Sequence, residues 1–158
     1  MSELILLRHA KAEEHSLMRP DFKRHLRERG REDSRNMAAH LRKLNIMPDM
    51  ILCSTANRTR ETLEIFINVL DYQGKVEYLE SIYHASAPQL LDIVTPYVKN
   101  SSRLMLVGHN MGISNMADRL CKQGCQELPT CGIAIVGFSR QIEPYQCELK
   151  MYLTPKTI

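Results

Sequence analysis

Read for its apolar positions, the chain divides into short continuous runs separated by segments in which apolar residues recur every three or four positions. Leu4-Ile5-Leu6-Leu7, Met50-Ile51-Leu52-Cys53 and Leu104-Met105-Leu106-Val107 are runs of the first kind. Too short for helices and unbroken by polar residues, they predict strands buried on both faces. Lys75 to Leu79, Ile133 to Phe138 and Glu148 to Tyr152 predict further strands. Met37, Ala38, Leu41 and Leu44 share one helical face after Gly30, with an end near Asn45 ahead of Pro48. Thr62, Ile65, Phe66 and Val69 mark a second helix running to about Leu70. Pro88 to Val94, begun through Ser86, and Gly112 to Cys121 predict two more. Residues 11–29 show no period, contain Pro20 and read as a long loop or irregular lid.

Strands alternating with helices predict an α/β fold, a three-layer sandwich around a mostly parallel central sheet with the late strands antiparallel at one edge. Without internal repeats, low-complexity tracts or an interdomain linker, residues 1–158 are expected to form one domain. In such a sheet, ligands bind beyond the carboxyl ends of the strands. Three predicted strands end in polar sequence bearing His or Arg: Arg8-His9, Ser54 through Arg58, and Gly108-His109. Imidazoles and guanidiniums are therefore expected at one rim.

Composition narrows what that rim could serve. The chain is 44% hydrophobic and 25% charged, ordinary for a soluble domain. No run approaches the ~20 apolar residues of a membrane span, and Met1-Ser2-Glu3 leads into a strand rather than a signal core, so no membrane association and a cytoplasmic location are expected. The net charge is only +3, and with no tryptophan and 6% aromatics there is little equipment for nucleic acid. Arg19, Lys23, Arg24, Arg27, Arg29 and Arg31 crowd one stretch, which is expected to border the site and contact a partner. The five cysteines are odd in number and lack CxxC spacing, so neither a disulfide framework nor a structural zinc is expected.

A phosphoryl group, with three oxygens and about two negative charges, calls for forked donors, which Arg8 and Arg58 supply. A neutral imidazole between such cations can attack phosphorus directly, and neighbouring positive charge keeps its attacking nitrogen unprotonated. His9, directly after the first strand, fits that role. His109, before a helix N-terminus, fits a donor to the phosphoryl oxygens. Taken singly, each feature is also what a surface ion pair or a capped turn would show; three coordinated strand ends point to a site. Other phosphate machinery fails on spacing. GxxxxGK[ST], HExxH, DxD and GxSxG are absent, and Cys53 lies one position too close to Arg58 for the cysteine phosphatase register. A histidine mechanism without metal or cofactor remains.

In Leu7-Arg8-His9-Ala10-Lys11-Ala12, Arg24-His25-Leu26-Arg27-Glu28-Arg29-Gly30, Ser54-Thr55-Ala56-Asn57-Arg58-Thr59-Arg60-Glu61-Thr62, Ile82-Tyr83-His84-Ala85-Ser86 and Val107-Gly108-His109-Asn110, the chain resembles the histidine phosphatase (phosphoglycerate mutase-like) superfamily, and within it the short SixA-type phosphohistidine phosphatases. The motifs fall in the family's order across almost the whole chain. The resemblance implies a phosphoglycerate mutase-like fold, His9 as the phosphorylated nucleophile, and Arg8, Arg58 and His109 as the phosphate pocket. It also brings Arg24 toward the substrate. Ala10 stands where the family usually has Gly, and His25 and Arg27 replace Pro and Thr of RPLT, leaving the first helix without its usual capping hydroxyl.

Larger relatives carry a glutamate proton donor after the third strand; His84 falls at that position, with Glu80 the nearest carboxylate. Losing a general acid costs about 10² to 10⁴ in rate when the leaving group is poor. A departing imidazole needs it less. The resemblance thus implies a phosphohistidine-bearing protein of a phosphorelay or phosphotransfer system as partner, with Glu80 and His84 both open as proton donor. A small-molecule phosphomonoesterase of the same superfamily and a non-catalytic phosphate-binding module are the alternatives.

Overall fold

The computed structural model describes residues 1–158. Its elements are β1 (Ser2–Arg8), α1 (Glu28–Lys43), β2 (Met50–Ser54), α2 (Asn57–Leu70), β3 (Lys75–Leu79), α3 (Ala87–Val98), β4 (Arg103–Gly108), α4 (Gly112–Leu120), β5 (Ile133–Phe138) and β6 (Glu148–Leu153). Two 3-10 turns, Asp21–Lys23 and Glu80–Ile82, interrupt the loops before α1 and α3.

One six-stranded sheet has the order β3-β2-β4-β1-β5-β6. β1, β2, β3 and β4 run parallel; β5 joins β1 antiparallel and β6 joins β5 antiparallel at the edge. The expected sandwich and its antiparallel edge are both present. From β1 to β3 the chain steps one way across the sheet, and with β4 it turns back. Because parallel crossovers are right-handed, the connecting helices then fall on opposite faces. α1 and α2 cover one face with Ile5, Leu7, Ile51, Cys53, Met105 and Val107 beneath them. On the other face α3 and α4 cover Leu4, Leu6, Leu52, Leu104 and Leu106. Alternate residues of each apolar run thus enter alternate cores, each buried side chain contributing roughly 1.5–3 kcal/mol.

The reversal makes β1 and β4 neighbours whose following helices diverge to opposite faces. That is the switch point at which α/β sheets open a crevice.

Element ends depart from the sequence reading where side chains bond locally. α2 starts at Asn57 rather than near Thr62. Thr59 Oγ1 donates to the Ser54 and Ala56 carbonyls, both at 2.9 Å, and winds the first turn before any apolar period begins. Arg58 is therefore a helical residue. α3 continues past Val94 to Val98 because Pro96 falls in its last turn, where little ladder remains to lose. Its start at Ser86 is a full capping box with Gln89. α1 begins at Glu28, and Arg27 at its N-cap makes no side-chain cap bond.

The long loop between β1 and α1 is pinned at its base. Ala12 pairs with Leu26, and Arg27 N–H donates to Lys11 O at 2.9 Å. Gly30, in the first turn of α1, lies so close that a Cβ there would sit 2.2 Å from Lys11 O. The clash is with backbone, so nothing flexible can yield. Gly30→Ala is expected to destabilise the protein by about 1–3 kcal/mol, read as a lowered urea midpoint, with Gly124→Ala unsuited as a control because Gly124 has φ of +76°.

Candidate active site

His9 is the first residue past β1, and the sheet pairing carries on through it. Its N–H donates to Gly108 O at 3.1 Å, and its carbonyl accepts from Cys131 N at 2.9 Å. Its ring is set by two partners of fixed character. The Ala10 carbonyl, 2.8 Å from Nδ1, can only accept, so Nδ1 carries the proton. The Arg58 guanidinium, whose Nε lies 3.3 Å from Nε2, can only donate, so Nε2 presents its lone pair. Burial lowers the imidazole pKa to about 3 against the opposing Ala10 bond, with Arg58, Arg8 and Arg24 lowering it further. His9 is a neutral base with its free nitrogen among cations.

Arg58 is buried, and its guanidinium is held on the side away from His9. Nη1 donates to Asp21 O at 2.9 Å and Nη2 to Asp21 Oδ2 at 3.1 Å. Arg24 grips the same carboxylate, its Nε donating to Oδ1 at 2.9 Å, and its Nη1 donates to Glu13 O at 2.7 Å. The Tyr83 hydroxyl also donates to Asp21 Oδ2. Burial alone would raise the Asp21 pKa; the Tyr83 hydroxyl, Arg58 and Arg24 outweigh it and hold the carboxyl well below the usual range.

His109 follows β4, with its ring centroid 5.3 Å from that of His9 and 5.3 Å from that of Tyr83. Its Nε2 lies 2.8 Å from Ser54 Oγ, whose hydroxyl can donate to it; the same oxygen accepts the Ala56 N–H at 3.4 Å. In that arrangement the imidazole's own proton is on Nδ1, a buried atom with no partner. Burial, then His9 and Arg58, lower the His109 pKa to about 2. Arg8 completes the group: Nη1 donates to Leu128 O at 2.9 Å, while Nε is buried and unpartnered. Unfilled donors on Arg8 and His109 around an unprotonated nitrogen are the complement of a tetrahedral oxyanion.

An open cleft of about 340 Å³ is lined by Arg8, His9, Arg24, Arg58 and His109 together with Lys11, Ala12, Glu13, Glu14, Asn110 and Thr130. All four residues expected in the phosphate pocket, and Arg24 beside them, are brought together. His84 and Glu80 are exposed and do not line the cleft. His84 stacks on Tyr83 at 4.0 Å between centroids. Asn110 does not cap α4; its side chain donates to Leu128 O at 3.1 Å and accepts from Ser114 Oγ at 2.6 Å. The arginine-rich stretch borders the cleft, but its charges are answered in the chain: Arg19 by Glu13, Arg27 by Glu14, Arg29 by Asp33, and Arg31 by Glu28.

Asp21, Tyr83 and Ser54 are site residues to which the sequence assigned no role. Asp21 sits in the aperiodic stretch, where its only signal is Arg24 three positions on. A larger cavity of about 890 Å³ lies between the end of α4 and β6, lined by Cys121, Cys125 and Cys147 among others, and none of the cations or imidazoles of the cleft lines it. No three His, Cys, Asp or Glu side chains are grouped to hold a metal ion, and no helix is long and apolar enough to cross a membrane.

Residues 4–83 match the histidine phosphatase superfamily (branch 1), and the chain belongs to that family. Among solved structures it is similar to one from Agrobacterium tumefaciens assigned as the phosphohistidine phosphatase SixA, with 25% identity and a TM-score of 0.87 over 98% of both chains. A protein histidine phosphatase SixA complexed with tungstate shares the fold, with a TM-score of 0.82 at 19% identity over 98% of this chain and 97% of that one. An uncharacterised chloroplast protein of Arabidopsis thaliana is 33% identical over 84% of this chain; the match spans 65% of that relative's length.

Both histidines bind protons far less readily folded than unfolded. As pH falls below the ordinary value of 6.5, the unfolded state takes up protons that the native state refuses, so stability is lost from there down toward about 3. Each histidine is expected to contribute up to about 1.4 kcal/mol per pH unit within that window. Urea unfolding at pH 7, 6 and 5 tests this: His9→Gln and His109→Gln should each flatten the decline, and a wild-type midpoint independent of pH would contradict it.

Proposed function

We propose that the chain is a protein phosphohistidine phosphatase, hydrolysing phosphate from a histidine of a phosphorelay or phosphotransfer protein through a covalent phospho-His9 intermediate. His9 Nε2 attacks phosphorus as the P–N bond to the substrate imidazole breaks, and that bond's electron pair stays on the departing nitrogen, which is protonated from solvent. The Nδ1–H···O bond to Ala10 steadies the positive charge that His9 acquires. Water then attacks the phosphoryl group on His9, releasing inorganic phosphate and regenerating Nε2. Arg8, Arg58 and His109 hold the phosphoryl oxygens while charge redistributes. The guanidiniums and histidines supply this chemistry without a metal ion.

The observation that carries the choice of substrate is the state of the carboxylates around the cleft. Glu13 accepts the His25 N–H at 2.8 Å and pairs with Arg19, which lowers its pKa. Asp21 is bound to two guanidiniums and a phenol. Glu14 pairs with Arg27 at 3.3 Å. Each of the three is engaged by a guanidinium, so none is free to hand a proton to a departing alkoxide. The imidazole of a phosphohistidine leaves readily from the N–P bond. The open cleft and the likeness to structures assigned as SixA favour the same reading.

Acid-quenched turnover should carry an acid-labile phosphate on His9. His9→Ala should lose both the label and the activity, and EDTA should leave the rate unchanged. Full activity in His9→Ala, strict dependence on added metal, or faster hydrolysis of phosphate monoesters than of a phosphohistidine protein would each overturn the proposal. Asp21 acts here as a positioning residue. Asp21→Asn keeps its shape but removes the charge that aims Arg58, and kcat/KM on p-nitrophenyl phosphate should fall about 10²-fold. Tyr83→Phe, which leaves that charge in place, should cost less than about tenfold.

A further inference from the structure

Ala12 is the one apolar residue lining the cleft. The carbon skeleton of a leaving group finds nothing to pack on inside, so discrimination among phosphorylated partners must be made on the surface outside it. That surface carries an unusual feature. Apart from chain-terminal Met1, the large apolar side chains more than half exposed are Leu17 at 101%, Met18 at 94%, Met111 at 52% and Tyr145 at 63%. Three of these four stand on segments that form the cleft. Leu17 and Met18 crown the loop whose two legs supply Glu13, Glu14 and Arg24, and Met111 follows Asn110.

The crown is held firmly. Ser16 pairs with Arg19 across it, and Met18 N–H donates to Ser16 Oγ at 3.1 Å. The His15 imidazole lies 3.8 Å from the Asp21 carboxylate that also holds Arg58. Two adjacent, fully solvated apolar side chains on an anchored turn form a contact surface without a contact in this chain. Methionine side chains adapt readily to a partner's relief. Lys11 and Lys23, exposed on the same loop, have no carboxylate partner, whereas Arg19, Arg24 and Arg27 do.

We infer that Leu17, Met18 and Met111 form an apolar rim that docks against the phosphohistidine-bearing protein, on an apolar patch beside its phosphohistidine flanked by carboxylates that meet Lys11 and Lys23. The inference rests on the phosphohistidine phosphatase reading above. An imidazole is tied to its backbone through a single methylene. A phosphorylated nitrogen that reaches His9 therefore draws the partner's own backbone to the mouth of the cleft, against whatever rises around it. None of the three lines the cleft itself, so a small phosphorylated compound held there has no need of the rim.

The test compares the full chain with Leu17→Ser/Met18→Ser on three substrates: a histidine-phosphorylated helical phosphotransfer domain, phosphoimidazole and p-nitrophenyl phosphate. Both residues are solvated, so the double variant keeps its core, and the two small substrates report whether the site is intact. KM for the phosphoprotein should rise about tenfold with kcat nearly unchanged, the effect of losing one strong interface contact. Values of kcat/KM for both small substrates should stay within about twofold of wild type. A double variant that hydrolyses the phosphoprotein as efficiently as wild type, or loses activity equally on all three, overturns the docking rim alone. A wild-type chain that hydrolyses phosphoimidazole but leaves the phosphoprotein untouched overturns the rim and the reading beneath it together.

Discussion

Arg58 is a buried cation, and its charge has to be answered from inside the chain. Asp21 answers it from 37 residues away, with carboxylate and carbonyl together. That pairing draws down the loop between β1 and α1, because Asp21 cannot reach Arg58 unless the segment folds over the carboxyl ends of β1 and β2. Arg24 follows, bound to the same carboxylate, and Tyr83 closes the group from the loop after β3. Removing one partner of a fully buried pair costs about 3–5 kcal/mol; with Asp21 about a third exposed, the figure here is smaller. The guanidinium so fixed turns its remaining edge to His9. The arrangement of the loop and the protonation of His9 are two outcomes of one electrostatic requirement.

Much of the fold was legible because it is written in local periods. The apolar runs of β1, β2 and β4 announced strands buried on both faces, and those strand ends carry Arg8, His9, Arg58 and His109 to one cleft. What escaped is non-local or lacks a period. Asp21 sits in polar sequence, and its partners Arg58 and Tyr83 lie 37 and 62 positions on. Ser54 was visible only as the residue after an apolar run; its hydrogen bond to His109 spans 55 positions. The early start of α2 depends on the hydroxyl of Thr59, which hydrophobic periodicity does not register. His84 falls at the family's proton-donor position with Glu80 the nearest carboxylate, but the 3-10 turn after β3 leaves both in solvent outside the cleft.

The arginine-rich stretch shows how misleading a charge count can be. Read along the chain, Arg19 to Arg31 is a strongly basic segment; in space, most of its guanidiniums are spent on Glu13, Glu14, Glu28, Asp33 and Asp21. Those pairs are mostly solvated and individually worth little, typically about 0–1 kcal/mol, but they lower the field the segment projects. Unpaired charge in this part of the chain stays on Lys11 and Lys23, while the unfilled donors of Arg8 and His109 lie in the depth of the cleft.

β1 lies between β4 and β5, and the backbone of His9 is bonded to Gly108 at the end of β4 and to Cys131 just ahead of β5. Strands so placed exchange their amide hydrogens only when the whole molecule unfolds, whereas a loop pinned at its base and by a few side chains opens at far lower free energy. His9 and the loop over it therefore belong to different cooperative units. His9 therefore stays in register with Gly108 and Cys131 whatever settles against the loop between Ala12 and Leu26, and the central imidazole of the cleft keeps its alignment.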